Sequence, residues 1–321
     1  MNTEKTAKRG AGRFAPSPSG RMHLGNMFTA LMSWLSARKS GLRWILRIED
    51  LDPQRSKREH ALWIEDDLEW LGLDRDEGGL ADKGEHGPYS QSLRHGIYAE
   101  MLGRLDATGL TYPCICTRSD IMATQAPHQS DGRVIYGGRC RPAVMPHDAA
   151  MEWPERPHAT RLWTGDAVMT FDDAVFGRQR VVLADECGDF VLRRADGAWA
   201  YQLAVVADDA LMGVTEVVRG CDLLLSTGQQ LYMYGLLGFE APRYAHVPLV
   251  CNMEGRRLSK RDGSLSMEAL RRRHRPEEIV GLLAHMANLI DAPVSCRAEE
   301  LTELFDWSKL GRENVMVPPN Y

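Results

Sequence analysis

The sequence has no apolar run long enough to cross a membrane, and its first ten residues lack the apolar stretch of a signal peptide. It also has no excess of basic residues, because 39 lysines and arginines face 44 acidic residues, for a net charge of −5. This balance argues against broad, non-specific binding to nucleic acids, although it allows one basic face. We find no internal repeat. We therefore expect a cytoplasmic protein that is not bound to a membrane.

Cysteine is sparse, with seven in 321 residues, and the missing secretion signal favours reduced thiols over disulfides. Cys114, Cys116 and Cys140 flank a stretch rich in proline, glycine, histidine and aspartate that has little apolar periodicity. Three thiols at this spacing can share one metal ion, and we predict a structural zinc site rather than free thiols. The candidates for the fourth ligand are Tyr136, His128, His147 and water.

The whole chain has 44% hydrophobic residues and can form a sizeable core. Strands and helices alternate in its first part. A strand near Arg13 is followed by a helix from His23 to about Lys39, which Gly41 ends. The next predicted elements are a strand at 42–50, a helix at 57–72 and a helix at 90–108. This order predicts an α/β fold with a doubly wound parallel sheet.

The composition changes near Tyr112, and this change divides the chain. We predict the first half of the α/β domain at 1–111 and an inserted small domain at 112–184. The second half of the α/β domain follows at 185–240. Residues 241–321 are predicted to hold a basic loop and a short helical C-terminal region.

The stretch 13–26 (RFAPSPSGRMHLGN) predicts a strand, a proline-stiffened turn and a helix start. Gly20 allows the backbone to approach a ligand, and His23, Gly25 and Asn26 fall where free helix N–H groups could hold an anion. Taken alone, the stretch is equally compatible with a structural turn. Taken alone, His23 is more often a capping or packing residue than a ligand.

Three acids, Glu49, Asp50 and Asp52, follow a strand that is apolar on both faces. Open α/β sheets bind ligands at the carboxyl ends of their strands, so a carboxylate here could hold an ammonium group. The alternative is a solvated strand end.

Two further positions carry polar groups that suit an anionic ligand. Arg219 ends a predicted strand and could bind a carboxylate through two hydrogen bonds, and the hydroxyl of Tyr201 could reach the same pocket. Tyr201 could equally be a core aromatic residue. Lys260 lies in a basic loop, 256–263, that could clamp a phosphate or could be an ordinary solvated loop.

Together, and in this order, the motifs resemble those of the class I aminoacyl-tRNA synthetases of the glutamate type. Residues 13–26 resemble the first signature of that family, usually called HIGH, and residues 257–261 resemble the second, usually called KMSKS. Between them, in the expected order, stand Arg47-Ile-Glu-Asp, Tyr201-Gln-Leu-Ala and Val218-Arg-Gly. The resemblance covers about residues 12–275 and implies a Rossmann-like catalytic domain.

The resemblance also implies roles for single residues. The glutamate-binding residues would be Arg13, Ala15, Ser17, Glu49, Tyr201 and Arg219. The ATP-binding residues would be His23, Gly25, Asn26 and Lys260. Within these groups Glu49 would take the glutamate ammonium, Arg219 a carboxylate, and His23 and Lys260 would be catalytic by stabilising the transition state. Mg²⁺ would accompany ATP.

Two features resemble a shortened branch of that family, the glutamyl-queuosine tRNA(Asp) synthetases. Only about sixty residues follow Arg261, too few for the helical anticodon-binding region of full glutamyl-tRNA synthetases. The other feature is the spacing of the zinc ligands, which in that branch would be Cys114, Cys116, Tyr136 and Cys140. The implied acceptor is the queuine-derived base in the anticodon loop of tRNA(Asp), and we expect a monomer. The alternatives are a short glutamyl-tRNA synthetase that charges a tRNA 3′ end and a non-catalytic paralogue.

Overall fold

The computed structural model describes residues 9–123, 135–143, 154–258 and 265–318. The strands are β1 (Ala11–Phe14), β2 (Arg43–Leu46), β3 (Glu77–Gly78), β4 (Thr111–Cys114), β5 (Ala159–Leu162), β6 (Val168–Asp173), β7 (Gly177–Val182), β8 (Phe190–Arg193), β9 (Val214–Gly220), β10 (Arg243–Val247), β11 (Val250–Cys251) and β12 (Val315–Met316). The helices are α1 (Leu24–Lys39), α2 (Arg58–Trp70), α3 (His95–Asp106), α4 (Arg118–Ala123), α5 (Leu183–Glu186), α6 (Tyr201–Leu211), α7 (Ser226–Leu237), α8 (Met267–Arg271) and α9 (Pro276–Met286).

Most of the predicted elements are present with small changes at their ends. Helix α1 begins directly after His23, and Gly41 follows its end with a φ of 65°, a conformation that glycine adopts without strain. The strand predicted at 42–50 is shorter, Arg43–Leu46. The helix predicted from residue 90 begins at His95, because a separate 3₁₀ turn occupies Gln91–Leu93.

The central sheet has seven strands in the order β3-β2-β1-β9-β10-β6-β7. All neighbouring strands are parallel except the hairpin of β6 and β7, which is antiparallel. The predicted, mostly parallel α/β sheet is therefore confirmed. Crossovers that return each strand in the same direction bring the carboxyl ends of β1 and β9 to one edge of the sheet.

Apolar side chains cover both faces of this sheet. Along β2, Trp44 and Leu46 pack in one cluster with the buried face of α1. Ile45, which points the opposite way, packs in a second cluster with Val214 of β9, and Leu231 of α7 lies against that cluster. Burial of alternate residues on opposite faces explains the continuous apolar sequence of the strand.

A second, antiparallel sheet has the order β4-β5-β8. Strands β6 and β7, which lie within the predicted insert 112–184, pair instead with the central sheet, whereas β8, at 190–193, pairs with β5. The segment 112–184 thus contributes strands to both sheets. The division of the chain into four domains stays a prediction.

After β10 the chain packs back onto the first half. Helix α9 has an apolar face that joins the cluster of α1, and β12 pairs with β11 near the end of the described chain. Among the described helices, none combines the length and the hydropathy that a membrane span requires.

Candidate active site

The predicted substrate-binding residues meet in one cleft at the carboxyl ends of β1 and β9. This main cleft has a volume of about 450 Å³. Nine of the ten residues that the resemblance assigns to glutamate and ATP line it: Arg13, Ala15, Ser17, His23, Gly25, Asn26, Glu49, Tyr201 and Arg219. The tenth, Lys260, lies outside the described residues, but Arg257 and Leu258, shortly before it, also line the cleft. The roles of the nine residues stay predictions.

The start of α1 is shaped by three of these residues. The backbone N–H of His23 donates to Oδ1 of Asn26 at 3.0 Å, and the N–H of Asn26 donates to the carbonyl of His23 at 2.9 Å. A Cβ atom at Gly25 would lie 3.2 Å from the imidazole of His23, so glycine leaves room for the ring. The first N–H groups of α1 can therefore bind an anion in the main cleft.

A buried aspartate, Asp209 of α6, binds two arginines at the main cleft. Nε of Arg13 lies 3.3 Å from Oδ1 of Asp209, and Nη1 of Arg47 donates to the same oxygen at 2.6 Å. Arg47 also donates through Nη2 to Oε1 of Glu49 at 3.2 Å. Asp209 therefore holds Arg13, which lines the main cleft, and Arg47, which is bonded to Glu49.

Burial affects the two acids of this cluster differently. Burial raises the pKa of Glu49 above its usual range, although Arg47 and Arg13 oppose that shift. Burial acts in the same direction on Asp209, but the charges of Arg47 and Arg13 outweigh it and hold the pKa of Asp209 low. Asp209 is thus the permanent anion of the cluster. Glu49 would gain from a cation in the main cleft, such as an ammonium group.

The preceding residue, Asp208, forms a second buried cluster. It accepts hydrogen bonds from Nε of Arg94 at 2.6 Å, from Nε2 of Gln91 at 2.8 Å and from the hydroxyl of Tyr98 at 2.9 Å. The sequence analysis missed both aspartates. Their signal was present, because two adjacent acids inside the apolar stretch 203–211 must be paired when that helix is buried.

Arg219 lies at the end of β9 with only 4% of its surface exposed. Its Nη1 donates to Oε1 of Gln230 at 2.8 Å, and its Nη2 donates to the hydroxyl of Thr227 at 2.8 Å. The guanidinium lies 5.3 Å from the ring centre of Tyr244. These contacts hold a permanent positive charge beside the main cleft, opposite in sign to Glu49.

A second cleft, of about 510 Å³, adjoins the main cleft. Ser17, Ser19, Glu49 and Tyr201 line both clefts. The rest of this side cleft includes the aromatic Trp199 and the basic residues Arg55 and Arg194. A molecule bound beside Glu49 can thus be approached from two openings.

The four predicted zinc ligands also lie together, at the end of β4, just after it, and in the segment 135–143. The Sγ atoms of Cys114, Cys116 and Cys140 all lie within 4.8 Å of one another. The hydroxyl of Tyr136 is 3.5 Å from Sγ of Cys114 and 3.9 Å from Sγ of Cys116. His128 and His147, the other protein candidates for a fourth ligand, lie outside the described residues.

Comparisons with known proteins agree with this geometry. The family model described as tRNA synthetases class I (E and Q), catalytic domain, matches residues 11–315. A curated protein of Symbiobacterium thermophilum named glutamyl-Q tRNA(Asp) synthetase is 46% identical over 311 residues, which cover 96% of this chain and 95% of that protein. A protein of the same name from Nitratidesulfovibrio vulgaris is 47% identical over 309 residues, with 96% and 95% covered.

A solved structure is similar over nearly the whole fold. It is a glutamate tRNA ligase from Elizabethkingia meningosepticum in complex with its amino acid, with a TM-score of 0.81 and 27% identity. The match covers 98% of this chain and 68% of that one.

Proposed function

We propose a function that starts from the family of this chain, which belongs to the class I tRNA synthetases of the E and Q type and, within them, to the glutamyl-Q tRNA(Asp) synthetases. The proposed function is the activation of L-glutamate with ATP and its transfer to the queuosine base of tRNA(Asp). The observation that carries the proposal is the meeting of Glu49, Arg219 and the start of α1 in one cleft. An amino acid with an extra carboxylate needs an acid for its ammonium, an arginine for a carboxylate and helix N–H groups for the triphosphate beside it.

The residues around the cleft have distinct parts in binding. Glu49 holds the ammonium group, and Arg219 holds a carboxylate of glutamate. Arg13, Ala15, Ser17 and Tyr201 complete the pocket. The phosphates of ATP are bound by His23, Gly25 and Asn26 together with Lys260 of the basic stretch 256–263. Class I synthetases use ATP with Mg²⁺.

The first reaction step is an attack of the glutamate α-carboxylate on the α-phosphorus of ATP. A bond forms between the carboxylate oxygen and phosphorus, and pyrophosphate leaves. His23 and Lys260 stabilise the negative charge that develops on the phosphate oxygens. In the second step a nucleophile of the tRNA attacks the carbonyl carbon of glutamyl-adenylate, and AMP leaves.

The side cleft supports the choice of a nucleobase as the acceptor. It opens beside Glu49 and Tyr201 and so offers an unpaired base a second way to the residues proposed to bind glutamate. Trp199 offers an aromatic side chain, and Arg55 and Arg194 offer positive charge for the tRNA backbone.

The test is to incubate the protein with labelled glutamate, ATP and tRNA and to find which nucleotide of the tRNA carries the label. We expect pyrophosphate exchange that requires glutamate but no tRNA, and label from glutamate in tRNA(Asp) only when the tRNA carries queuosine. That label should survive removal of the 3′-terminal nucleotides. Label that is lost with the 3′ end would identify a short glutamyl-tRNA synthetase instead. No exchange and no transfer would favour a non-catalytic paralogue.

We propose further that Cys114, Cys116, Tyr136 and Cys140 hold a structural zinc ion. The three sulfurs lie close enough to bind one ion, and the hydroxyl of Tyr136 lies within 4 Å of two of them. Thiolates are the usual ligands of structural zinc. The ion would join β4 to the loop at 135–143 and stabilise the small sheet.

Replacing Cys140 with serine is expected to remove about one zinc ion per chain and to lower the thermal midpoint of unfolding. The exchange reaction should change little, because the cluster lies outside both clefts. Metal analysis of freshly purified protein and a thermal scan are the measurements. Cys296→Ser, at a cysteine outside the cluster, is the matched control and should keep both values. Metal-free wild-type protein would contradict the zinc proposal.

We propose a cytoplasmic monomer as the working form. The nine described residues that are assigned to glutamate and ATP meet in one cleft of a single chain, without a residue from a second copy. Sedimentation of the purified protein as a dimer would contradict this proposal.

A further inference from the structure

Asp173, the last residue of β6, is held by four hydrogen-bond donors and is 4% exposed. Its Oδ1 accepts from the backbone N–H groups of Val175 at 3.0 Å and Phe176 at 2.9 Å. Its Oδ2 accepts from the backbone N–H of His246 at 3.0 Å and from Nδ1 of the same histidine at 2.6 Å. These donors, the His246 ring first among them, outweigh burial and lower the pKa of Asp173. Asp173 is therefore a fixed carboxylate that can only accept.

This carboxylate determines which nitrogen of His246 carries the proton. Since Asp173 can only accept, Nδ1 of His246 must donate, and burial lowers the pKa of the ring, so the ring is neutral. Its Nε2 is then a hydrogen-bond acceptor. Nε of Arg219 donates to that atom at 3.1 Å. The charged groups that act on this ring are Asp173 from β6, Arg219 from β9 and Arg13 from β1.

His246 thus completes the support of Arg219. The guanidinium has five N–H hydrogens, of which three are used on His246, Gln230 and Thr227. Among the described residues, no acceptor takes the other hydrogen of Nη1, and the second hydrogen of Nη2 makes a long contact of 3.4 Å with the carbonyl of Leu223. Each terminal nitrogen can thus offer one hydrogen to a ligand carboxylate, with Nη2 exchanging its long contact with Leu223 for the ligand.

We propose that Asp173 and His246 are positioning residues that fix the orientation of Arg219 for a glutamate carboxylate. The inference rests on the proposed function, because it needs glutamate as the ligand of Arg219. Neither residue touches the substrate in this arrangement. Asp173 acts on His246, and His246 acts on Arg219. The array joins β6, β10 and β9, which are neighbours in the central sheet.

Three variants separate this role from simple packing. In Asp173→Asn, an NH₂ group replaces one of the two carboxylate oxygens. That group then faces either the backbone N–H groups of Val175 and Phe176 or Nδ1 of His246. The second arrangement moves the ring proton to Nε2, where it opposes Nε–H of Arg219. His246→Leu removes the acceptor, whereas His246→Gln can return a side-chain oxygen close to the place of Nε2.

We expect Asp173→Asn and His246→Leu to raise the KM for glutamate by about 10- to 100-fold, with little change in kcat or in the KM for ATP. His246→Gln should recover most of this loss. The assay is glutamate-dependent pyrophosphate exchange without tRNA, together with calorimetric binding of glutamate to the folded protein. Asp189→Asn is the matched control, because that acid is also buried and is bonded to Tyr112 of β4 and to Arg141, and its loss should lower stability only.

The outcomes distinguish the two proposals. Active wild-type enzyme with an unchanged glutamate KM in Asp173→Asn would overturn the positioning role alone. Equal losses for glutamate and ATP, without recovery in His246→Gln, would also overturn it. Wild-type protein that neither binds glutamate nor exchanges pyrophosphate would overturn the proposed function and this inference with it. If His246→Leu does not fold, Asp173→Asn, which replaces one oxygen by nitrogen, decides.

Discussion

Replacing Arg219 with lysine is expected to lower kcat/KM for glutamate by roughly 100-fold, and most of the loss should appear in KM. Lysine keeps the charge but loses the planar group that contacts His246, Gln230 and Thr227 while presenting two hydrogens to the cleft. Loss of one partner of a buried charged contact costs about 3 kcal/mol, which corresponds to about two orders of magnitude.

Pyrophosphate exchange at varied glutamate and varied ATP measures this effect. The KM for ATP should stay close to the wild-type value, because Arg219 is proposed to bind glutamate and not ATP. The matched control is Arg243→Lys, at an arginine that is 73% exposed on the neighbouring strand and pairs with Glu216. An unchanged glutamate KM in Arg219→Lys would remove Arg219 from the glutamate pocket.

Replacing Asp209 with asparagine is expected to give the largest loss of stability. The amide has the same shape, but it leaves the buried guanidinium groups of Arg13 and Arg47 without their shared anion. Breaking such a buried pair costs about 3–5 kcal/mol of unfolding free energy. For a chain of this size the thermal midpoint should fall by on the order of 10 °C.

The pH dependence of this loss follows from the lowered pKa of Asp209. A carboxyl with a lowered folded pKa stabilises the protein fully above its unfolded pKa, about 4, and loses that effect as pH falls through the folded value. The difference between variant and wild type should therefore persist from pH 8 to pH 5. Asp196→Asn, in the exposed pair with Arg194, is the control and should leave the thermal midpoint unchanged. An equal midpoint for Asp209→Asn would contradict the argument.

The sequence alone predicted those features of the structure that depend on residues close together in the chain. Apolar periodicity and Gly41 predicted helix α1 within a residue at each end, and the ordered motifs predicted the family, which the comparisons confirm. The same motifs identified nine residues that do line one cleft. Each of these motifs lies at a strand end or helix start, where a turn residue and a polar side chain stand next to each other in the sequence.

The supporting contacts were not predicted because they join distant parts of the chain. Asp209 is separated by 196 residues from Arg13, and Asp173 by 73 residues from His246. The spacing of apolar residues in the sequence does not show which buried acid pairs with which buried base. The pairing of β6 with β10 was missed for the same reason, since short strands carry no sign of the sheet they join.

The order of strands along the chain has a consequence for protein engineering. The chain enters the small sheet through β4 and β5, returns to the central sheet for β6 and β7, and then goes back for β8. The small sheet therefore cannot be removed or exchanged as one continuous segment of the chain. A graft of 112–184 from a relative would exchange the hairpin that carries Asp173 along with the cysteine loop. A swap meant to change only the small sheet would then also change the proposed support of Arg219, so chimaeras should keep the native β6–β7 hairpin.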